Sequence, residues 1–104
     1  MKKIFLVALA FLSFPAFSAE NVYGTSVSYV YQVGSEPTQF DFQSSRTNEC
    51  GSSLYRVTSD DVHIANRKFS LVLAAFISGK RLAFHDTGTC AGNRALVSWV
   101  RITN

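Results

Sequence analysis

Cysteine, proline and charge are all scarce in this chain, and each scarcity excludes something. The 104 residues include two cysteines, Cys50 and Cys90, and two prolines, Pro15 and Pro37. The spacing of the cysteines with His63 and His85 matches no zinc ribbon or finger. Charged residues make up 16% of the chain, and Arg67-Lys68 and Lys80-Arg81 are isolated pairs rather than a basic block. The electrostatic footprint of a nucleic-acid-binding protein is therefore missing. No Gly-x-Ser-x-Gly elbow, P-loop, dinucleotide fingerprint or metalloprotease motif occurs. The chain is accordingly read as a non-enzyme with no cofactor and no metal. Internal repeats and low-complexity segments are absent too.

What is present begins with an export signal. Met1-Lys2-Lys3 is a positive start, Ile4 to Phe14 is apolar apart from Ser13, and Pro15 breaks the run. Ala16-Phe17-Ser18 then places small residues at the −3 and −1 positions of a cleavage site. The run is shorter than the ~20 residues needed to span a bilayer. The expectation is a signal peptide over residues 1–18, a single domain over residues 19–104, and no membrane span after removal. Loss of Lys2 and Lys3 lowers the net charge from +3 to about +1. The destination is the periplasm or the outside of the cell.

In an oxidising compartment, two cysteines in a small domain read as a disulfide. The chain-entropy account gives a Cys50–Cys90 link roughly 4 kcal/mol of stabilisation. The alternative is a metal site from Cys50, His63, His85 and Cys90, which the spacing disfavours.

Val22 to Val33 reads as one long strand, with Val27, Tyr29, Tyr31 and Val33 at period two. Gly34 to Pro37 is a turn, and Thr38, Phe40 and Phe42 alternate in a second strand. Ser44 to Ser53 is a polar loop, and Leu54 to Thr58 a third strand. Asp60-Asp61 suit capping better than acid–base chemistry or calcium binding. Phe69, Val72, Leu73 and Phe76 share one helical face, giving a helix from Asn66, the expected N-cap, to Ser78, ended by Gly79. Arg81 to Thr87 is a fourth strand, Thr87 to Asn93 a loop, and Arg94 to Thr103 a fifth. In that last strand Leu96, Val100 and Ile102 fall on one face, and Val97, Trp99 and Arg101 on the other. The order strand-strand-strand-helix-strand-strand is that of a five-stranded OB-like barrel, mainly β with one α-helix. An open five-stranded sheet with the helix across one face has the same element order.

Two stretches, Ser78-Gly79-Lys80-Arg81-Leu82-Ala83-Phe84 and Gly88-Thr89-Cys90-Ala91-Gly92-Asn93-Arg94, resemble the C-terminal half of small exported proteins of Gram-negative bacteria. An apolar helix, "SGK", an alternating strand and a "GTC" loop also look like the B subunits of subtilase cytotoxin and pertussis-like toxins. That resemblance implies an OB-fold, a disulfide, export, and rings of five that bind cell-surface glycan. It covers roughly residues 26–102 in element order, and no sugar-contacting residue carries over.

Among the residues themselves, Tyr23, Tyr29, Tyr31, Tyr55 and Trp99 are too many for so small a core, which already takes Phe40, Phe42, Phe69, Phe76 and Phe84. With Arg101 they form a candidate ligand or interface surface. Exposed rings beside polar groups stack on sugar faces; they also cover pleated strands, and Tyr, Trp and Arg are enriched at subunit interfaces. Leu71, Ala74, Ala75 and Ser78 give the helix a second face, which packs against a neighbour if the protein forms a ring and widens the core contact if it is a monomer; the sequence permits both. His85-Asp86, adjacent on a strand, point to opposite faces and would not act as a catalytic pair unless a bulge intervened. The function expected is an exported glycan-binding module, ring-forming like a toxin B subunit. The alternative is a monomeric periplasmic structural or protein-interaction domain.

Overall fold

The computed structural model describes residues 18–32 and 34–104. Apart from Ser18, the expected signal peptide lies outside them. Strands β1 (Glu20–Thr25), β2 (Val27–Tyr31), β3 (Gln39–Ser44) and β4 (Leu54–Thr58) precede helix α1 (Val62–Ser78); β5 (Arg81–Ala91) and β6 (Arg94–Thr103) follow. They form one sheet in the order β1-β5-β6-β4-β3-β2. All ladders are antiparallel except that of β4 with β6. The fold is mainly β with one helix among the described residues, and Cys50 is bonded to Cys90.

The expected five-stranded barrel is corrected to six strands in an open sheet. The expected long strand is two: Gly24, at φ 68, sits in a one-residue bulge within β1, where the register against β5 shifts between Val22 and Thr25, and the strand is interrupted at Ser26, between β1 and β2. No ladder joins β1 to β2, although they are consecutive. Two residues of chain reach about 7 Å at most, whereas six flat strands would be roughly 24 Å across. The sheet therefore curls until its two outer strands converge at Ser26. There the Ser45 amide donates to the Ser26 carbonyl at 2.9 Å, and the Ser26 amide donates to Ser45 Oγ at 3.0 Å.

The concave side holds the core: Val22, Phe40, Phe42, Tyr55, Val57, Leu82, Phe84, Ala95, Val97 and Val100, with Val72 and Ala75 from α1. Phe69 meets Phe40 edge-on at 5.1 Å. The helix starts four residues earlier than expected, because Asp61 rather than Asn66 is its N-cap, accepting from the His63 amide at 2.8 Å. Gly79 ends it in the left-handed conformation, as expected. Phe76 is 43% exposed rather than a core residue. The buried side of the helix runs through Ala65, Val72 and Ala75, and Phe76, one residue on from Ala75, is turned about 100° away from it.

The expected loop from Thr87 to Asn93 is mostly strand: β5 runs to Ala91 and turns only at Gly92-Asn93. Register shifts flank Asp86 in the β5–β6 ladder, where Phe84 pairs with Val100 but Asp86 with Val97. β6 thus carries one extra residue at Ser98-Trp99, and such a bulge reverses which side alternate residues face. Val97 and Val100 both point into the core as a result, while Trp99 and Arg101 point outward.

Candidate functional site

The candidate aromatic surface separates into three places. Tyr55 is not on a surface at all: it is fully buried on central strand β4, sharing the inward face with Val57. Its ring stacks on Phe42 at 5.6 Å and meets Phe84 at 4.7 Å. Its hydroxyl donates to the Arg46 carbonyl at 3.1 Å. Burial, helped by the charge of Asp86, pushes its pKa up to about 12.

Tyr23, Trp99 and Arg101 come together on the outward face of β1, β5 and β6. Ala83, the Cα partner of Arg101 on the strand between them, is small and fully covered. The Arg101 guanidinium lies 5.9 Å from the centre of the Tyr23 ring and 5.7 Å from that of Trp99. His85 stacks on Trp99 with ring centres 6.3 Å apart, and its Nδ1 is 2.7 Å from Asn21 Oδ1. Tyr23 is 61% exposed. The result is a row of two aromatic rings bridged by a cation, flanked by an imidazole and an amide. Asn21 and His85 were not among the sequence candidates. Their only sequence signal is period two: Asn21 with Tyr23, and His85 outward while Asp86 turns in. Asp86 is buried and accepts from the Gly88 amide at 2.9 Å, while His85 turns to Asn21 and Trp99.

Tyr29 and Tyr31 lie on β2, their ring centres 5.7 Å apart. Tyr31 belongs to a polar network absent from the sequence candidates. Its hydroxyl accepts from Arg94 Nη2 at 2.9 Å. Arg94 Nε donates to Asp41 Oδ2, and Arg56 grips the same carboxylate through Nε at 2.7 Å and Nη2 at 3.1 Å. Burial raises the Asp41 pKa, but hydrogen bonds and charge from Arg56 and Arg94 outweigh it and hold the group below its ordinary value. The bond to Tyr31, then that to Asp41, raises the pKa of Arg94. An aspartate between Phe40 and Phe42 signals an outward position; its partners, from β4 and β6, have no signature in the sequence.

A separate groove of 590 Å³ runs between the start of α1 and the β5–β6 bulge, lined by residues including Thr58, Asp60, Ile64, Lys68, Thr87 and Ser98. Lys68 Nζ donates to the Ser98 carbonyl at 2.5 Å across it. None of the candidate aromatics lines it. The disulfide occupies both sulfurs, which removes the alternative Cys/His metal site. No helix among the described residues is long and apolar enough to cross a membrane. Neither protein-family models nor curated protein sequences give a match to this chain.

Proposed function

We propose that this is an exported, non-catalytic binding module that takes glycan on the outward face of β1, β5 and β6 and assembles with copies of itself. The observation that carries the reading is the Arg101 guanidinium placed between the Tyr23 and Trp99 rings. Aromatic faces take the apolar C–H surface of a sugar ring, while the Asn21 amide, His85 and Arg101 offer hydrogen bonds to hydroxyls. Export is supported by the leader-like Met1–Ser18 segment and by the disulfide. An OB-like reading is supported by strand order, with β1 and β2 as two halves of one bent strand and α1 ahead of the last two strands. Self-association is supported by Leu71, Phe76 and Ile77, apolar residues left exposed on α1.

The test takes oxidised protein spanning residues 19–104. Light scattering gives its native mass, and a glycan array its ligands, for the parent and for Trp99→Ala with Arg101→Ala. A mass several times that of one chain, with sugar binding abolished by the double substitution, is the expected result. A monomer without glycan binding overturns the reading and leaves the monomeric interaction domain.

A further inference from the structure

We propose that Arg56 and Arg94, fixed over the buried carboxylate of Asp41, form an oxyanion-binding subsite beside the rings of Tyr31 and Tyr29. It lies on β2, β3, β4 and the start of β6, and it stands or falls separately from glycan binding on β1, β5 and β6.

The register sets the row. Tyr31 pairs with Asp41 across β2 and β3, and Asp41 with Arg56 across β3 and β4. Phe40 and Phe42 point into the core, so Asp41 points outward. An outward carboxylate is ordinarily wet, yet Asp41 is 0% exposed. Its cover is the two guanidinium groups and Tyr31. One carboxylate neutralises one of the two cations, which leaves a positive charge in surplus.

The donors are unevenly spent. Arg56 uses Nε and Nη2 on Asp41, and its Nη1 has no partner among the described residues. Arg94 spends one N–H of each nitrogen, Nε on Asp41, Nη1 on Asn93 Oδ1 at 3.0 Å and Nη2 on the Tyr31 hydroxyl, so each of its Nη atoms keeps one N–H. No buried side-chain nitrogen or oxygen there lacks a hydrogen bond, so Nη1 faces solvent. The Arg56 and Arg94 side chains keep 18% and 27% of their surface exposed. Both forks are held flat by a buried anchor, so little freedom is lost when they bind. Arg56 Nη1, with the N–H left on each Arg94 Nη, can donate charge-assisted hydrogen bonds to a carboxylate, sulfate or phosphate ester. The Tyr29 ring, 5.7 Å from Tyr31, provides an apolar wall for the rest of the ligand.

The experiment follows arginine Nε–H signals in ¹⁵N-labelled, oxidised protein during titration with sulfate, phosphate or glucuronate, against sodium chloride at equal ionic strength. Saturable shifts of Arg56 and Arg94 with the oxyanions alone are expected. The tightest of the three distinguishes a sugar carboxylate from a sulfate or phosphate source. Arg56→Lys keeps the charge but removes the Nη1 donor, and should weaken binding about tenfold while remaining folded. Tyr29→Ala, away from the ion pairs, should weaken glucuronate binding more than sulfate binding. Arginine signals that stay still, shifts that chloride reproduces, or Arg56→Lys binding as tightly as the parent would each overturn the proposal.

Discussion

Asp41 governs how the outward face of β3 responds to acid. Its pKa is held below the ordinary value because Arg56 and Arg94 outweigh the cost of burial. A carboxylate depressed in this way stabilises the fold above its unfolded pKa, and the contribution is lost as pH falls through the folded one. The loss thus falls below about pH 4. Asp41→Asn, which leaves two partly buried cations without their counter-charge, should cost about 2–4 kcal/mol in urea denaturation at neutral pH. The same variant should lose less further stability than the parent between about pH 4 and pH 2.

Tyr55 sets the opposite limit. Its folded pKa, raised to about 12, means stability is intact below the unfolded value and is lost as pH rises from about 10 towards 12. Tyr55→Phe should give up about 1 kcal/mol with the bond to the Arg46 carbonyl, and the alkaline loss should shrink. Urea midpoints across that range check both effects. Alternation along the chain reveals that Asp41 faces away from Phe40 and Phe42. It does not reveal that two arginines from other strands bury the group, because those partners are 15 and 53 positions away. Tyr55 was misplaced for a related reason: a tyrosine suits either face of a strand, and only position in the sheet decides.

At the scale of elements, the helix shows how far local rules carry. Asp61 meets the exposed amides of the first turn, and Gly79 takes the left-handed stop. Asp61→Ala should cost about 1 kcal/mol of stability, whereas Asn66→Ala, inside the helix, should be neutral or mildly stabilising. Thermal unfolding of the two variants separates these outcomes. The strands were legible from period two except where a residue is inserted. In β6 the bulge between Val97 and Val100 puts both valines in the core and turns Trp99 and Arg101 outward. A strictly alternating reading puts Val97 on the same side as Trp99. A bulge leaves no local signature in Val97-Ser98-Trp99-Val100; it is imposed by the register of β5.

Over the whole molecule, the disulfide ties the loop before β4 to the far part of β5, across 40 positions of chain. Cys50→Ser with Cys90→Ser should lower stability by about 2–4 kcal/mol through the freed unfolded chain. A urea midpoint that stays unchanged would mean the curled sheet holds those loops unaided. The sheet's curl is the other long-range feature. It follows from β1 and β2 lying at opposite ends of the strand order with Ser26 alone between them. It brings the core aromatics onto one concave side and leaves Tyr23, Trp99 and Arg101 on the convex one.

The sequence by itself determined most element types, the helix that Gly79 stops, and the pairing of its two cysteines, because each depends on nearby residues or on there being no other choice. Tertiary structure alone decided the bulge at Gly24 and the break at Ser26, the six-stranded open sheet, the bulge that aims Trp99, and the arginines gathered over Asp41. Those depend on which strands pair and in what register. Ladder hydrogen bonds settle that across the whole sheet, and they join backbone groups whose identity no side chain records.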